Sequence, residues 1–261
     1  MLEIKDLTIQ YGDKPPVVEN FSLSLKKGEI IAIVGESGSG KSTVLSSVLG
    51  LLPNGGKIIS GDIIYNGESM LKNTLSQWRE LRGTEITMIS QDSGGTLNPI
   101  RKIGKQFVEY IQTHSKMSTK EAEEKSKDMF SKVNLPDPEI IMKSYPHQLS
   151  GGMKQRVGIA MALTFHPKII LADEPTSALD VITQAQIVKE IMDLRKKFDT
   201  SIIMVTHNLG VAAYISDKII VMQNGKIVDA GNKNEVIENP KSEYTKKLLE
   251  AVPEIGGERL V

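Results

Sequence analysis

The chain has 261 residues, with 32 Lys+Arg against 32 Asp+Glu, a balance that gives no bulk positive charge for holding nucleic acid. At 39% hydrophobic and 25% charged it has the composition of an ordinary globular protein, long enough for one large domain or two small ones. It contains no cysteine, which excludes disulfides, thiolate metal sites and a cysteine nucleophile.

Glu3, Lys5 and Asp6 interrupt any apolar run at the N-terminus, so no signal peptide is expected. No stretch approaches the roughly 18 uninterrupted apolar residues of a membrane span, so the chain is not expected to cross a membrane by itself.

Residues 2–10, with apolar Leu2, Ile4 and Leu7, read as a strand that Tyr11-Gly12-Asp13 ends. Tyr11 either stacks on an adenine ring or merely flanks the turn. Phe21, Leu23 and Leu25 alternate with serines in a second, half-exposed strand. Glu29 to Val34 is an apolar run of the kind found in buried parallel strands. It runs into Gly35-Glu36-Ser37-Gly38-Ser39-Gly40-Lys41-Ser42-Thr43, which fits the phosphate-binding pattern G-x-x-x-x-G-K-[ST]. Val44, Leu45, Val48 and Leu51 then recur at helical spacing. Strand, glycine loop and helix start are what the chemistry requires. The glycines let successive N–H groups converge on an anion, the helix N-terminus adds positive potential, Lys41 reaches the terminal phosphates, and Ser42 offers a hydroxyl to magnesium.

Pro53 to Gly56 reads as a loop. Residues 58–65 read as a strand pair with turns at Ser60-Gly61 and Asn66-Gly67. Leu75 to Arg82 is a short helix whose Trp78 is assigned to packing. The strand Glu85 to Ser90 delivers Gln91 at its end, where ligand sites of parallel sheets tend to lie. Asp92 to Pro99 reads as a loop. Ile103, Phe107, Val108 and Ile111 mark an amphipathic helix, and Ser118-x-x-Glu121 is a capping box opening a charged helix to about Val133, broken by Pro136 and Pro138. The texture is that of a helical insert within an α/β frame. The insert ends in Leu149-Ser150-Gly151-Gly152-Met153, followed by a helical stretch to Leu163; its first residues are either a second anion-binding device or an ordinary helix entry.

Ile169 to Ala172 is a buried strand whose tip carries Asp173 and Glu174, placed to hold magnesium and to take a proton from water. Ser201 to Thr206 repeats the device with His207 at its tip. Ile219–Gln223 and Lys226–Ala230 form a hairpin across Asn224-Gly225. Asn232-Lys233-Asn234-Glu235 lacks the final Asp of a guanine-reading motif and is set aside. The tail from Glu235 to Leu249 is a helical pair interrupted near Pro240, and Gly256-Gly257 is a loose end.

In order, the phosphate loop, Gln91, Leu149 to Gly152, Ile170 to Glu174, Ser177-Ala178-Leu179-Asp180 and His207 resemble the ATPase of ATP-binding cassette (ABC) transporters. Within that family, Arg82-Gly83, Leu97-Asn98-Pro99, Met153, Gln184 to Ile187, and the tail with Asn239-Pro240, Tyr244-Thr245 and Leu248-Leu249 are similar to the D-type ATPase of dipeptide, oligopeptide and nickel importers.

The resemblance implies an α/β P-loop NTPase fold, with a mixed sheet core, an antiparallel β subdomain and an α-helical subdomain insert. The implied organisation is one ABC ATPase domain over 1–261. Its nucleotide core and β subdomain span 1–91 and 161–230, its helical signature subdomain 92–160, and its C-terminal helical extension 231–261. The cofactors are ATP and Mg2+. Tyr11 stacks on adenine; Gly35, Ser37, Gly38, Gly40, Lys41, Ser42 and Thr43 hold the phosphates. Ser42 and Gln91 ligate magnesium, with Asp173 behind them. Glu174 is the general base, and His207 contacts the γ-phosphate. Ser150, Gly151 and Gly152 bind ATP held by a second ABC ATPase subunit, with Asp180 in that interface.

The D-type look favours a relative as that second subunit, a heterodimer, with a homodimer of copies as the other arrangement. Further implied partners are two transmembrane permease subunits and, indirectly, an extracytoplasmic solute-binding protein. The implied location is the cytoplasmic face of the membrane, peripherally attached. Ser90 and Ser93-Gly94-Gly95 depart from the family's pattern on the surface expected to meet the permease. The resemblance implies import of peptides or of nickel or metal chelates, and the short, cysteine-free tail shifts that expectation part of the way towards nickel or metal chelates. The alternative from another class is a soluble ABC ATPase in DNA repair or translation, which calls for a coiled coil, a second cassette or a basic surface.

Overall fold

The structure is a computed structural model describing the chain apart from Asn54, Ala178, Val252, Pro253, Gly256, Gly257, Leu260 and Val261. The expectations at Asn54, Ala178 and Gly256-Gly257 therefore lie outside the described residues. The strands are β1 Leu2–Tyr11, β2 Val18–Leu25, β3 Ile30–Val34, β4 Gly56–Tyr65, β5 Glu68–Ser69, β6 Ile86–Ile89, β7 Ile169–Asp173, β8 Ser201–Thr206, β9 Lys218–Gln223 and β10 Lys226–Asn232. The helices are α1 Lys41–Val48, α2 Leu75–Leu81, α3 Ser93–Thr96, α4 Ile103–His114, α5 Thr119–Lys132, α6 Pro138–Lys143, α7 Gly151–Leu163, α8 Val181–Phe198, α9 Leu209–Ile215, α10 Lys233–Glu238 and α11 Glu243–Glu250.

These elements gather into two compact units, Met1–Trp78 with Ser201–Val261, and Arg79–Thr200. The first unit holds an antiparallel sheet in the order β2-β1-β4-β5 and a run of neighbouring strands β10-β9-β3-β8. β3 lies parallel to both β8 and β9, and all five of its residues are buried, which is why it reads as an unbroken apolar run. β10 returns antiparallel to β9 with Lys226 opposite Gln223, so the strands are mixed in direction as expected. Asn224 and Gly225 both take positive φ, 49° and 80°, as a tight hairpin requires. On one side of β3 and β9, Ala32, Val34, Ile219 and Val221 pack with Leu209 and Ala212 of α9, Val236 of α10 and Leu249 of α11.

The second unit pairs β6 with β7 in parallel, carries α3 to α8, and packs α7 against β6. Its core includes Phe107 of α4 and Phe130 of α5, ring centroids 5.2 Å apart, together with Ile111, Met129 and Ile141. Ser118 caps α5 in a full capping box with Glu121. Trp78 packs as expected, within the first unit, against Gly50, where an added Cβ would lie 2.6 Å from its ring.

Three local expectations are corrected. Residues 56–65 form one strand rather than a pair: Ser60-Gly61 is an irregularity in the β1–β4 ladder, which resumes on either side with Lys5 opposite Asp62 and Thr8 opposite Ser60. Gly61, at φ 90°, lies so close to β1 that a Cβ would sit 2.4 Å from the Lys5 carbonyl oxygen. Residues 92–99 are not all loop, because Asp92 accepts the Gly95 N–H and starts the single turn α3. Pro138 opens α6 instead of only ending α5: at the first helical position its missing N–H costs nothing. The sequence reading also passed over α8 and α9.

Candidate functional site

In the first unit, the register of β3 with β8 sets Val34 beside Thr206, so the phosphate loop and His207 leave the same sheet edge. Gly35 is boxed in, since a Cβ there would lie 2.2 Å from the Met222 carbonyl oxygen. Gly38, at φ 84°, faces open space with nothing within 4 Å of an added Cβ. Ser39 N–H donates to the Glu36 carbonyl and Val44 N–H to that of Gly40, the residue that caps α1. The N–H groups of Ser37, Gly38 and Gly40 donate to no acceptor among the described residues. The loop thus curls around an open cradle rimmed by uncommitted donors, the shape an oligophosphate fits.

Lys41 is 4% exposed. Its ammonium donates to the Gly35 carbonyl at 2.7 Å, the Glu36 carbonyl at 2.6 Å and Ser39 Oγ at 3.3 Å. Ser42 is exposed and Thr43 half-buried in the first turn of α1, where backbone N–H groups have no intrahelical acceptor. Tyr11 ends β1 with its ring over Gly56 of β4. The nearby Val17-Val18 stretch abuts Gly40, whose Cβ would lie 2.8 Å from the Val17 carbonyl oxygen. His207 is exposed. Asn208, which carried no role in the sequence reading, caps α9 by accepting the Val211 N–H at 3.2 Å.

In the second unit, pairing of Ile89 with Ala172 brings Gln91, Asp173 and Glu174 to one end of the β6–β7 pair. Gln91 is exposed, Asp173 is 9% exposed as the last residue of β7, and Glu174 is half-buried. Glu174 takes φ 43°, a conformation costly for a side chain of this type. Its carbonyl accepts both the N–H and the hydroxyl of Ser177 at 3.2 Å, and this turn holds the strained residue in place. Sequence reading had no signal for that strain.

Ser150 caps α7, its Oγ accepting the Met153 N–H at 3.3 Å. The first turn of α7 abuts the start of α8: a Cβ on Gly152 would lie 3.0 Å from the Thr183 methyl, and one on Gly151 would lie 3.6 Å from Leu179. Asp180 caps α8, accepting the Thr183 N–H at 3.0 Å and its hydroxyl at 2.7 Å. Those hydrogen bonds, side chain first, hold the Asp180 carboxyl below its ordinary range. Ser150, Gly151, Gly152 and Asp180, separated by some thirty positions in the sequence, thus form one surface of this unit.

Residues 18–177 match the ABC transporter family. The chain belongs to that family. It is 43% identical to the oligopeptide transport ATP-binding protein OppD of Bacillus subtilis, over 97% of this chain and 72% of the relative. It is 41% identical to the metal-staphylopine import system ATP-binding protein CntD of Staphylococcus aureus, over 95% of this chain and 92% of the relative. Its fold is similar to a dimeric ATP-binding cassette in a post-hydrolysis state bound to ADP and Pi, with TM-score 0.78 and 28% identity, covering 89% of this chain and 99% of that one. This cassette is an ATP-hydrolysing subunit of an ABC transporter, and none of these relatives speaks for DNA repair or translation. Among the described residues no helix is long and apolar enough to cross a membrane.

Proposed function

We propose that this cassette powers import of peptides or metal chelates, and that its two edge clusters divide the work. Near-full-length identity to ATP-binding proteins of an oligopeptide and a metal-staphylopine system carries the importer assignment. The phosphate loop takes ATP: Lys41 exchanges its carbonyl partners for phosphate oxygens, and the N–H groups of Ser37, Gly38 and Gly40, with those of Lys41, Ser42 and Thr43 at the start of α1, line the cradle. Tyr11 stacks on adenine. Magnesium, when bound, neutralises phosphate charge; Ser42, Gln91 and Asp173 would hold it, and their all-oxygen donor set suits a hard cation.

Glu174 takes a proton from the attacking water, and His207 donates to the γ-phosphate as charge develops on it. Ser150, Gly151 and Gly152 serve the nucleotide of a second ATPase subunit, with Asp180 beside them. That subunit is a relative or, alternatively, a copy. ATP favours the closed pair and hydrolysis releases it, switching two permease subunits on whose cytoplasmic side the cassette sits. Reconstitution with permeases and the cognate solute-binding protein tests the reading. ATP-dependent uptake of a peptide or a metal chelate, abolished by Lys41→Ala, is expected; ATPase activity without uptake of either class rejects the assignment.

A further inference from the structure

We propose that Tyr244 is a positioning residue for the phosphate loop, through which the C-terminal helix pair sets the loop's readiness for nucleotide. This rests on the loop being the ATP site.

The tail is built firmly onto the first unit. Asp229 of β10, 5% exposed, accepts the N–H groups of Lys241 at 2.7 Å and Ser242 at 3.3 Å. Ser242 then caps α11 by accepting the Thr245 N–H at 3.0 Å, and Thr245 is fully buried. Leu249 is buried against Ala32 and Val34 of β3, the strand that ends in the loop, and Tyr244 and Leu248 pack on the same cluster.

From this fixed base the Tyr244 hydroxyl accepts the Glu36 N–H at 2.9 Å, a contact spanning 208 positions. The Glu36 N–H and the Gly35 carbonyl belong to one planar peptide group. That same Gly35 carbonyl accepts the Lys41 ammonium at 2.7 Å. The peptide is trans, so its N–H and C=O point opposite ways: Tyr244 holds one end and Lys41 the other. Fixing the N–H therefore fixes where the carbonyl waits for Lys41. Burial raises the Tyr244 phenol above its ordinary value, outweighing the opposite pull of the Glu36 N–H, so the hydroxyl stays neutral across the physiological range. Without it the Gly35–Glu36 peptide keeps only the Lys41 end of its two tethers, and ATP, which takes Lys41 for its phosphates, binds a less ordered loop.

MgATP binding to the full chain is measured by calorimetry for wild type, Tyr244→Phe, Lys246→Ala and Lys41→Ala. Tyr244→Phe is expected to raise the dissociation constant about five-fold, equivalent to about 1 kcal/mol, with an unchanged unfolding temperature. Lys246→Ala removes only a surface pair with Glu243 on the same helix and is expected to bind like wild type. If Lys41→Ala binds as wild type does, the loop is not the ATP site and the underlying reading fails. If binding needs Lys41 but is unchanged in Tyr244→Phe, the Tyr244 proposal alone is overturned. Should the Phe variant lose stability, hydrogen exchange in wild type decides. Coupling is reciprocal, so MgATP is expected to slow exchange across α11, and unchanged exchange overturns the proposal.

Discussion

Arg156 of α7 grips Glu190 of α8 with two arms of its guanidinium, Nη2 at 2.9 Å and Nε at 3.2 Å from the carboxylate oxygens. Both side chains are largely withdrawn from water, at 16% and 13% exposure. The pair ties the helix that begins at Ser150 to the helix that begins after Asp180, at a point removed from both caps. Glu190→Ala leaves a poorly hydrated cation without its partner and is expected to cost about 3 kcal/mol, read from urea unfolding. Replacing both residues together, Arg156→Met with Glu190→Leu, is expected to recover most of the loss. A double variant as unstable as the single would show that the ion pair itself, not the stranded charge, supplies the stability.

Glu174→Gln preserves the size of the side chain and removes its capacity to take a proton. Hydrolysis by the assembled transporter is expected to fall by about two to four orders of magnitude, the usual worth of a general base, while MgATP affinity stays near that of wild type. Turnover near the wild-type rate in this variant rejects Glu174 as the base.

Acid sensitivity follows from two histidines of the second unit. His114 lies edge-on to Tyr110 and Phe165, and burial lowers its pKa below 6.5. His166, exposed at one edge and tilted against Phe198 with ring centroids 4.4 Å apart, is lowered by partial loss of hydration first and further by Lys132 and Lys125. Both bind protons more readily unfolded than folded, so they add stability above pH 6.5 that is lost as pH falls below it. The urea midpoint is expected to drop between pH 7.5 and 5.5, and to drop less in His114→Phe with His166→Asn. Asn suits position 166 because the backbone there has φ 52°. An identical pH slope in the double variant rejects the assignment.

What was legible in the sequence was local. The buried strand before Gly35, the Ser118–Glu121 box and the Asn224-Gly225 hairpin each lie within a few residues and follow from one physical rule. Misreadings arose where one residue type serves two purposes. Gly61 supplies the same positive φ to an irregular ladder as to a turn, and Pro138 both fails to continue one helix and favours the start of the next. Asp92 starts a helix of a single turn, too short for periodicity to reveal. Arg156–Glu190 and Glu36–Tyr244 were invisible because partners 34 and 208 positions apart meet only once the fold brings them together.

The close fit of α3 on α7 makes a further demand on small residues. A Cβ on Gly158 would lie 2.6 Å from the hydroxyl of Ser93, which is 2% exposed. Gly158→Ala should gain up to about 1 kcal/mol from helix propensity, yet it is expected to lose about 1–3 kcal/mol net because Ser93 has nowhere to move. Ser93→Gly in the same chain removes the obstacle and is expected to restore stability, a coupling that thermal unfolding of the four variants measures. Simple additivity of the two changes would mean that α3 yields freely.

The shared character of the proposed site gives the sharpest test. Lys41→Ala empties a chain's own phosphate loop. Gly152→Glu sets a carboxylate against the first turn of α7, where Thr183 already leaves only 3.0 Å for a Cβ. Each variant alone is expected to hydrolyse ATP at a small fraction of the wild-type rate at concentrations where copies pair. Mixed, they form pairs in which the intact loop of one chain meets the intact Ser150-Gly151-Gly152 turn of the other, while the opposite site carries both defects. Half the pairs in an equal mixture are of this kind and each has one sound site of two, so activity is expected to return to about a quarter of wild type when pairing is random. The wild-type chain should in parallel show specific activity that climbs with concentration. A mixture as inactive as its components, together with a wild-type rate independent of concentration, would reject pairing between copies and leave a relative as the subunit that completes the site.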